Sequence, residues 1–363
     1  IAANPSAIEP GFLALELFSL GVSQAEDILK TILTDGSPPH LRLNFARVLI
    51  DLQRLPEASK QLTSLNKSQP DFSDAWLMQA AISMELNKYE EAKQALLKYI
   101  ELEKVKEDAR LSQAYLMLSQ IATKEKKPSE SEAWLSKIDD PEAITQVQIQ
   151  RANLLASKGE MAKARALLAD LPENSQQAKR TKLQAELKLL REYKMHEASY
   201  QLLRKAAKAE PEDVDLRYEL AMAAEKLNHM DEVEKLLRSV IAEKPDFEHA
   251  YNALGYALAD RNIRLPEARE LIVKALEFSP EDPMITDSLG WVEFRIGNKQ
   301  AALAILQRAY ETKNDVEIGT HLGEVFWSLG QKDKALNVWR DAARQDPKNV
   351  MLLETLKRLK VKL

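Results

Sequence analysis

The sequence predicts an all-α fold, a right-handed solenoid of about ten helical hairpins closed by a C-terminal capping helix. Three observations carry this: glycine is scarce, a small residue returns at a nearly constant interval, and prolines follow it in step. Glycine supplies 10 of 363 residues, well under half of its usual share of about 7%, which favours helix over sheet. Prolines at 70, 211, 245, 280 and 347 stop one helix and open the next unit, because proline is tolerated only at a helix beginning.

The interval is plainest in the last third. Three segments there each carry Leu-Gly in a first helix, at Leu254-Gly255, Leu289-Gly290 and Leu322-Gly323. Each also carries two alanines seven apart in a second helix: Ala268 and Ala275, Ala302 and Ala309, Ala335 and Ala342. Carried back through the chain, the first of these positions falls on Ala25, Ala58, Ala92, Ser131, Ala164, Ala198, Val233, Ala268, Ala302 and Ala335, with spacings of 33, 34, 39, 33, 34, 35, 35, 34 and 33. Small residues let two helix backbones approach, and Leu62, Leu96, Leu135, Leu168, Leu237 and Trp339, four residues after the small anchor, fill the space beside them. One hairpin cannot bury its apolar face alone, whereas stacked hairpins share a continuous core.

This pattern resembles the tetratricopeptide repeat (TPR), a helix–turn–helix unit of about 34 residues. The elements then fall in order as one continuous array. Residues 1–100 hold the N-terminal units. Residues 101–140 form an irregular repeat with a longer linker, whose charged segment at 101–113 is expected to lengthen a helix by over a turn. Residues 141–347 hold the C-terminal units. Residues 348–363 read as a solvated capping helix with Leu352, Leu353, Leu356 and Leu359 on its apolar face and lysines where the helix dipole favours them.

Composition excludes several chemistries. The chain has no cysteine, hence no disulfide, iron–sulfur cluster, Cys-bearing zinc site or thiolate nucleophile. With 51 basic and 56 acidic side chains and a net charge of −5, it lacks the basic excess of a nucleic-acid binder. No apolar run is long enough to cross a bilayer. The start, IAANPSAIEP, has neither the charge nor the apolar core of a signal peptide, so the chain reads as part of a longer or processed protein. The histidines 40, 196, 229, 249 and 321 are scattered. His321 and Glu324, one turn apart, read as a structural hydrogen-bonding pair rather than half a metal site. No glycine-rich phosphate loop or nucleophile elbow occurs. The expectation is a non-enzyme without cofactor or metal.

Binding is then left to the first helices, whose free face lines a groove. In register with the Leu-Gly pairs, the candidates are Asn252 and Tyr256, Asp287 and Trp291, Thr320 and Glu324, with Phe294 and Trp327 a turn further on. Apolar anchors beside donors and acceptors suit an extended peptide or a helix. Packing of Tyr256, Trp291 and Trp327 between repeats is the competing reading. Glu293, where the repeat usually places a packing residue, leaves the phase of its helix open by one. The acidic residues argue against the carboxylate clamp of co-chaperone TPR domains, which uses Lys and Asn at these places.

Within residues 249–347, the strings NALGYALADR, EARELIVKA, DPMITDSLGWVEFRIG and HLGEVFWSLG resemble the C-terminal repeats of a proteobacterial outer-membrane lipoprotein family. Its type is the partner of the carboxyl-terminal processing protease (LbcA-like). The resemblance implies a periplasmic, lipid-anchored, non-catalytic adaptor that holds this protease and delivers envelope substrates to it. A solenoid for envelope or pilus assembly that self-associates is the alternative.

Overall fold

The computed structural model describes residues 5–34, 36–106 and 110–363. The described residues form 21 α-helices, one short 3-10 turn at Pro141–Ala143, and no strand. The chain divides into two compact units, residues 1–189 and 190–363.

In the first unit, five hairpins follow one another: α1 (Pro5–Ser19) with α2 (Ser23–Ile32), α3 (Pro39–Asp51) with α4 (Leu55–Ser68), α5 (Ser73–Glu85) with α6 (Tyr89–Glu103), α7 (Ser112–Lys124) with α8 (Pro128–Leu135), and α9 (Ile144–Ser157) with α10 (Met161–Ala169). Helix α11 (Gln176–Glu192) runs across the division. The second unit continues with α12 (His196–Ala209) and the hairpins of α13 (Val214–Lys226) with α14 (Met230–Glu243), α15 (Glu248–Asp260) with α16 (Leu265–Phe278), α17 (Pro283–Ile296) with α18 (Lys299–Thr312), and α19 (Val316–Ser328) with α20 (Lys332–Gln345). Helix α21 (Val350–Leu359) closes it against α19 and α20. Second helices pack on the first helix of the next hairpin, as α4 does on α5 and α16 on α17. Each unit is therefore an α-solenoid of helical hairpins.

The small anchor has one structural address. From α4 to α20, every second helix carries it as its fourth residue, buried against its hairpin partner: Ala58, Ala92, Ser131, Ala164, Ser199, Val233, Ala268, Ala302 and Ala335. This corrects one assignment, because Ser199 rather than Ala198 is the buried residue of α12. Leu203, four residues beyond Ser199, is fully buried and fixes that register. The other large residues at this offset, from Leu62 to Trp339, are buried too. The five expected prolines each lie two residues beyond the end of a second helix.

The segment at 101–113 departs from expectation. Helix α6 ends at Glu103, and the extra residues lie in the connection before Ser112, eight residues long where the one between α4 and α5 has four. Insertion into a connection leaves the helix packing in register, whereas an extra helical turn would project beyond the stack. At the C-terminus, Leu352 and Leu356 are buried as expected, but Leu353 is exposed and Thr355 takes the buried place. The contact face of α21 thus runs 352, 355, 356, 359, the spacing of one helix stripe.

Two or three residues before each second helix, and before α12, one residue has positive φ: Gly21, Gln53, Asn87, Lys126, Gly159, Lys194, Asn228, Asn262, Gly297 and Gly330, and the turn before α16 has a second, Arg264. A left-handed residue lets the chain reverse at once and satisfies the last carbonyls of the first helix. Lys126, at φ 61° and exposed, bears the Cβ penalty of about 1–2 kcal/mol that glycine escapes. Allowing for the greater chain entropy of unfolded glycine, Lys126→Gly is expected to stabilise the first unit by about 0.5–1 kcal/mol. The check is a rise in its urea midpoint with unchanged slope.

Candidate functional site

The first helices of the second unit are built for close approach. Asp282, Asp315 and Asn349 cap α17, α19 and α21, accepting hydrogen bonds from backbone N–H groups at Met284 (2.7 Å), Glu317 (2.8 Å) and Leu352 (3.1 Å). Each of the three Leu-Gly glycines faces a second helix with no room for a side chain. A Cβ at Gly255 would lie 2.6 Å from Ile272 and 2.8 Å from the Ala268 carbonyl, and one at Gly290 would lie 2.5 Å from Leu306. With the packed sides fixed this way, Tyr256, Trp291, His321 and Glu324 come onto one wall, which α21 continues with Met351, Glu354 and Arg358.

The wall bounds a cavity of about 690 Å³. Behind it, the Nδ1–H of His321 donates to the Asp287 carboxylate at 2.9 and 3.1 Å, both side chains being almost fully buried. The imidazole stacks on Trp291 with ring centres 4.2 Å apart, and its Nε2 lies 3.4 Å from the Tyr256 hydroxyl. Burial opposes the imidazolium, yet Asp287, by charge and by hydrogen bond, outweighs it, so the His321 pKa lies above its ordinary value. Burial pushes the Tyr256 hydroxyl far up, and the charges that add to this, Asp260, Asp287, Glu317 and Glu225, are carboxylates. Burial likewise raises the Glu225 carboxyl; Lys226 offsets part of this, while Asp260 and Glu317 add to it. Arg358 is held by Glu324 at 2.6 Å, and the Arg295 guanidinium lies 5.5 Å from the Trp291 ring centre.

Of the eight residues singled out from the sequence, Tyr256, Trp291 and Glu324 line the cavity together. Asp287 lies behind the wall in its pair with His321. Thr320 is fully buried; its hydroxyl donates to the Val316 carbonyl at 2.7 Å and its own carbonyl accepts from the Trp339 indole at 3.1 Å, so it belongs to the helix contact. Phe294 packs against Trp291, and Trp327 against Trp339, at 5.5 and 5.8 Å between ring centres. Asn252 is half-buried, its Oδ1 without a hydrogen bond. Trp291 is only 4% exposed, so Trp291→Ala tests packing at least as much as binding. Glu293 keeps the phase of α17: it is buried, salt-bridged to Arg269 at 2.5 Å and bonded by Asn298 at 2.7 Å. His321 makes a structural hydrogen bond, but its partner is Asp287 on the neighbouring first helix rather than the expected Glu324, which pairs with Arg358. Asp260, Arg295 and Glu317, which complete the cavity wall, carry no signal in the repeat pattern.

Tetratricopeptide repeat family models match residues 43–108 and 189–256. The TPR repeat-containing protein PA4667 of Pseudomonas aeruginosa is 47% identical over 128 residues, which is 35% of this chain and 22% of that protein. The match thus spans less than a quarter of the relative's length. Similar solved structures include a thermophilic TPR protein of Thermus thermophilus, 24% identical over 49% of this chain and 100% of its own, with a TM-score of 0.44. Yeast Tom70 is another, 14% identical over 98% of this chain and 95% of its own, with a TM-score of 0.41. The spacing of the anchors, the buried register of the hairpins and both matched segments agree: the chain carries tetratricopeptide repeats, matched by family models over residues 43–108 and 189–256.

Proposed function

We propose that the chain is a non-catalytic adaptor that holds a periplasmic C-terminal processing protease and brings envelope proteins to it, tethered to the outer membrane by a lipid anchor outside this sequence. TPR arrays are protein-interaction scaffolds, and the observation that carries the reading here is the cavity of the second unit. It offers an aromatic wall and charges of both signs. The resemblance of residues 249–347 to the LbcA-like lipoproteins supports the choice of partner. Holding two proteins on one scaffold raises their effective concentration without any new chemistry.

The experiment is co-elution of the chain with the C-terminal processing protease of the same organism, with and without an envelope hydrolase, under light scattering. A stoichiometric complex that accelerates hydrolase cleavage supports the adaptor; absence of a complex removes it. Arg295→Glu, on the cavity wall and outside the core, is expected to weaken capture of the delivered substrate at least tenfold, about 1.4 kcal/mol, with unchanged helicity. Titration of labelled substrate checks it.

A self-associating scaffold is favoured by one observation. Leu13 and Leu17, four residues apart on α1, are exposed apolar residues of the first unit, as are Phe12, Leu20 and Ile28. Light scattering that rises in mass with concentration for the chain alone, and falls back in Leu13→Glu/Leu17→Glu, identifies that reading.

A further inference from the structure

One face in the array is exposed where its counterparts are buried. Counted back from the left-handed residue of each turn, Leu13 and Leu17 of α1 stand where α3 has Phe45 and Leu49, α5 has Gln79 and Ser83, and α19 has Leu322 and Phe326. Those six are buried, whereas Leu13 is 59% and Leu17 38% exposed. The difference lies in what precedes each helix. Phe45 meets the Phe18 ring of α1 at 5.6 Å between centres, and the Gln79 amide donates to Ser59 of α4 at 3.0 Å. Glu293, at the place of Leu17 in α17, pairs with Arg269 of α16 at 2.5 Å. Each reaches back to the hairpin before its own. Helix α1 thus carries one half of the same joint, with no described residue laid on it. Its inward stripe, Gly11, Ala14, Leu15 and Phe18, is buried as well, and a helix that is apolar all round belongs between two neighbours.

The charges at the two chain ends indicate what that neighbour is. Residues 1–38 hold five acidic side chains and one basic, whereas residues 331–363 hold nine basic and four acidic, in a chain whose net charge is −5. On α1, Glu16 is exposed beside the leucines. On α21, the stripe turned away from the buried contacts runs Val350, Leu353, Lys357, all exposed, with Lys360 beyond it and Glu354 as the one carboxylate of the helix. Among the described residues, Glu16, Lys357 and Lys360 have no ion-pair partner. Two copies meeting α1 to α1 would set acidic end against acidic end. Meeting α1 to α21, they bring leucines onto leucine and valine, and an acidic end onto a basic one.

We propose that copies of this chain associate head to tail, the α1 face of one seated on the outer face of α21 of the next. Such a contact uses two different patches, so it does not end at a pair: association continues into a chain or ring of copies. Each added copy brings its own cavity, and the assembly presents these sites together, which strengthens capture by multivalency. The proposal rests on the self-associating reading and names the two faces that meet; it is independent of what the cavity captures.

The test is light scattering of the full chain over a concentration series at low salt, with a head variant, Leu13→Glu/Leu17→Glu, and a tail variant, Leu353→Glu/Lys357→Glu. Both change exposed residues, and circular dichroism checks that each is folded; Leu13→Glu or Lys357→Glu alone replaces a double variant that is not. The unaltered chain is expected to pass the mass of a dimer, and each variant alone to stay monomeric. An equal mixture of the two variants is expected to form a one-to-one dimer that grows no further, because it holds a single intact pair of faces. Raising the salt is expected to weaken association, since opposite charges are then screened. If the tail variant associates as the unaltered chain does, or the mixture yields no dimer, the head-to-tail contact is wrong and self-association stands. If the unaltered chain stays monomeric throughout, self-association fails and the contact with it.

Discussion

Trp339→Ala is expected to remove about 3–5 kcal/mol from the second unit, the range for truncating a large buried aromatic side chain. Trp339 is fully buried at the place where most other second helices carry leucine. Its ring occupies the space left by Gly323, where any Cβ would collide with the indole, and its N–H donates to the Thr320 carbonyl at 3.1 Å. Leu322, Phe326 and Ala342 enclose it in a cluster with Leu352 and Leu356 of α21, so the cavity left behind has little freedom to collapse. The effect should be local, because a repeat array transmits stability only between neighbours. Hydrogen exchange is expected to show lost protection in α19 to α21 and unchanged protection in the first unit. Native-like protection of α21 in the variant would show that the cap docks without this ring.

The second large effect is expected from the buried Asp287–His321 pair. Removing one member of such a pair strands the other, at about 3–5 kcal/mol when the charge persists. Histidine can shed its charge, so Asp287→Ala is expected to cost about 2–4 kcal/mol at pH 6. Because the folded His321 pKa is raised above the unfolded value of about 6.5, the pair contributes fully below pH 6.5 and loses its contribution as pH rises through the folded pKa. In Asp287→Ala burial dominates and lowers the histidine pKa, so the sign reverses: stability from this residue is present above pH 6.5 and lost as pH falls. Urea titrations at pH 5.5, 7 and 9 on both proteins check the crossing. Parallel curves would mean that His321 does not titrate in the folded unit.

The hairpin array was legible because its causes are local and repeated. A small residue at the fourth place of a second helix, a large one four residues later and a proline beyond the end all show in the sequence. The misplacement at Ala198 arose where two small residues stand side by side, and only the burial of Leu203 separates them. The segment at 101–113, rich in good helix formers, reads as helix by propensity, but the packing of the next hairpin sets where α6 stops. Glycine and asparagine mark seven of the ten left-handed turns, whereas Gln53, Lys126 and Lys194 adopt the same backbone without a sequence signal. The candidate site was legible only in part. Tyr256, Trp291 and Glu324 follow from the repeat register, but the pairing of Asp287 with His321 joins neighbouring helices 34 residues apart, and a single helix face does not show it. Thr320 and Trp327 share the groove register yet pack, since Trp339 fills the space behind Gly323 and draws them into the core.

The left-handed residue and the small anchor together make each hairpin a self-indexing part. From α4 to α20 the turn sits two residues before the second helix, or three at Asn262, and the anchor sits at its fourth position. The turn and the small anchor of each hairpin thus lie within a window of six or seven residues, with the large residue that fills the space beside them four places further on. A hairpin cut between such windows can be deleted, duplicated or exchanged without shifting the phase of the hairpins on either side. Duplication and loss of whole hairpins are therefore the mildest changes of length open to this chain, and a library of hairpin exchanges is the natural route to altering what its cavity holds while leaving the rest of the array in register.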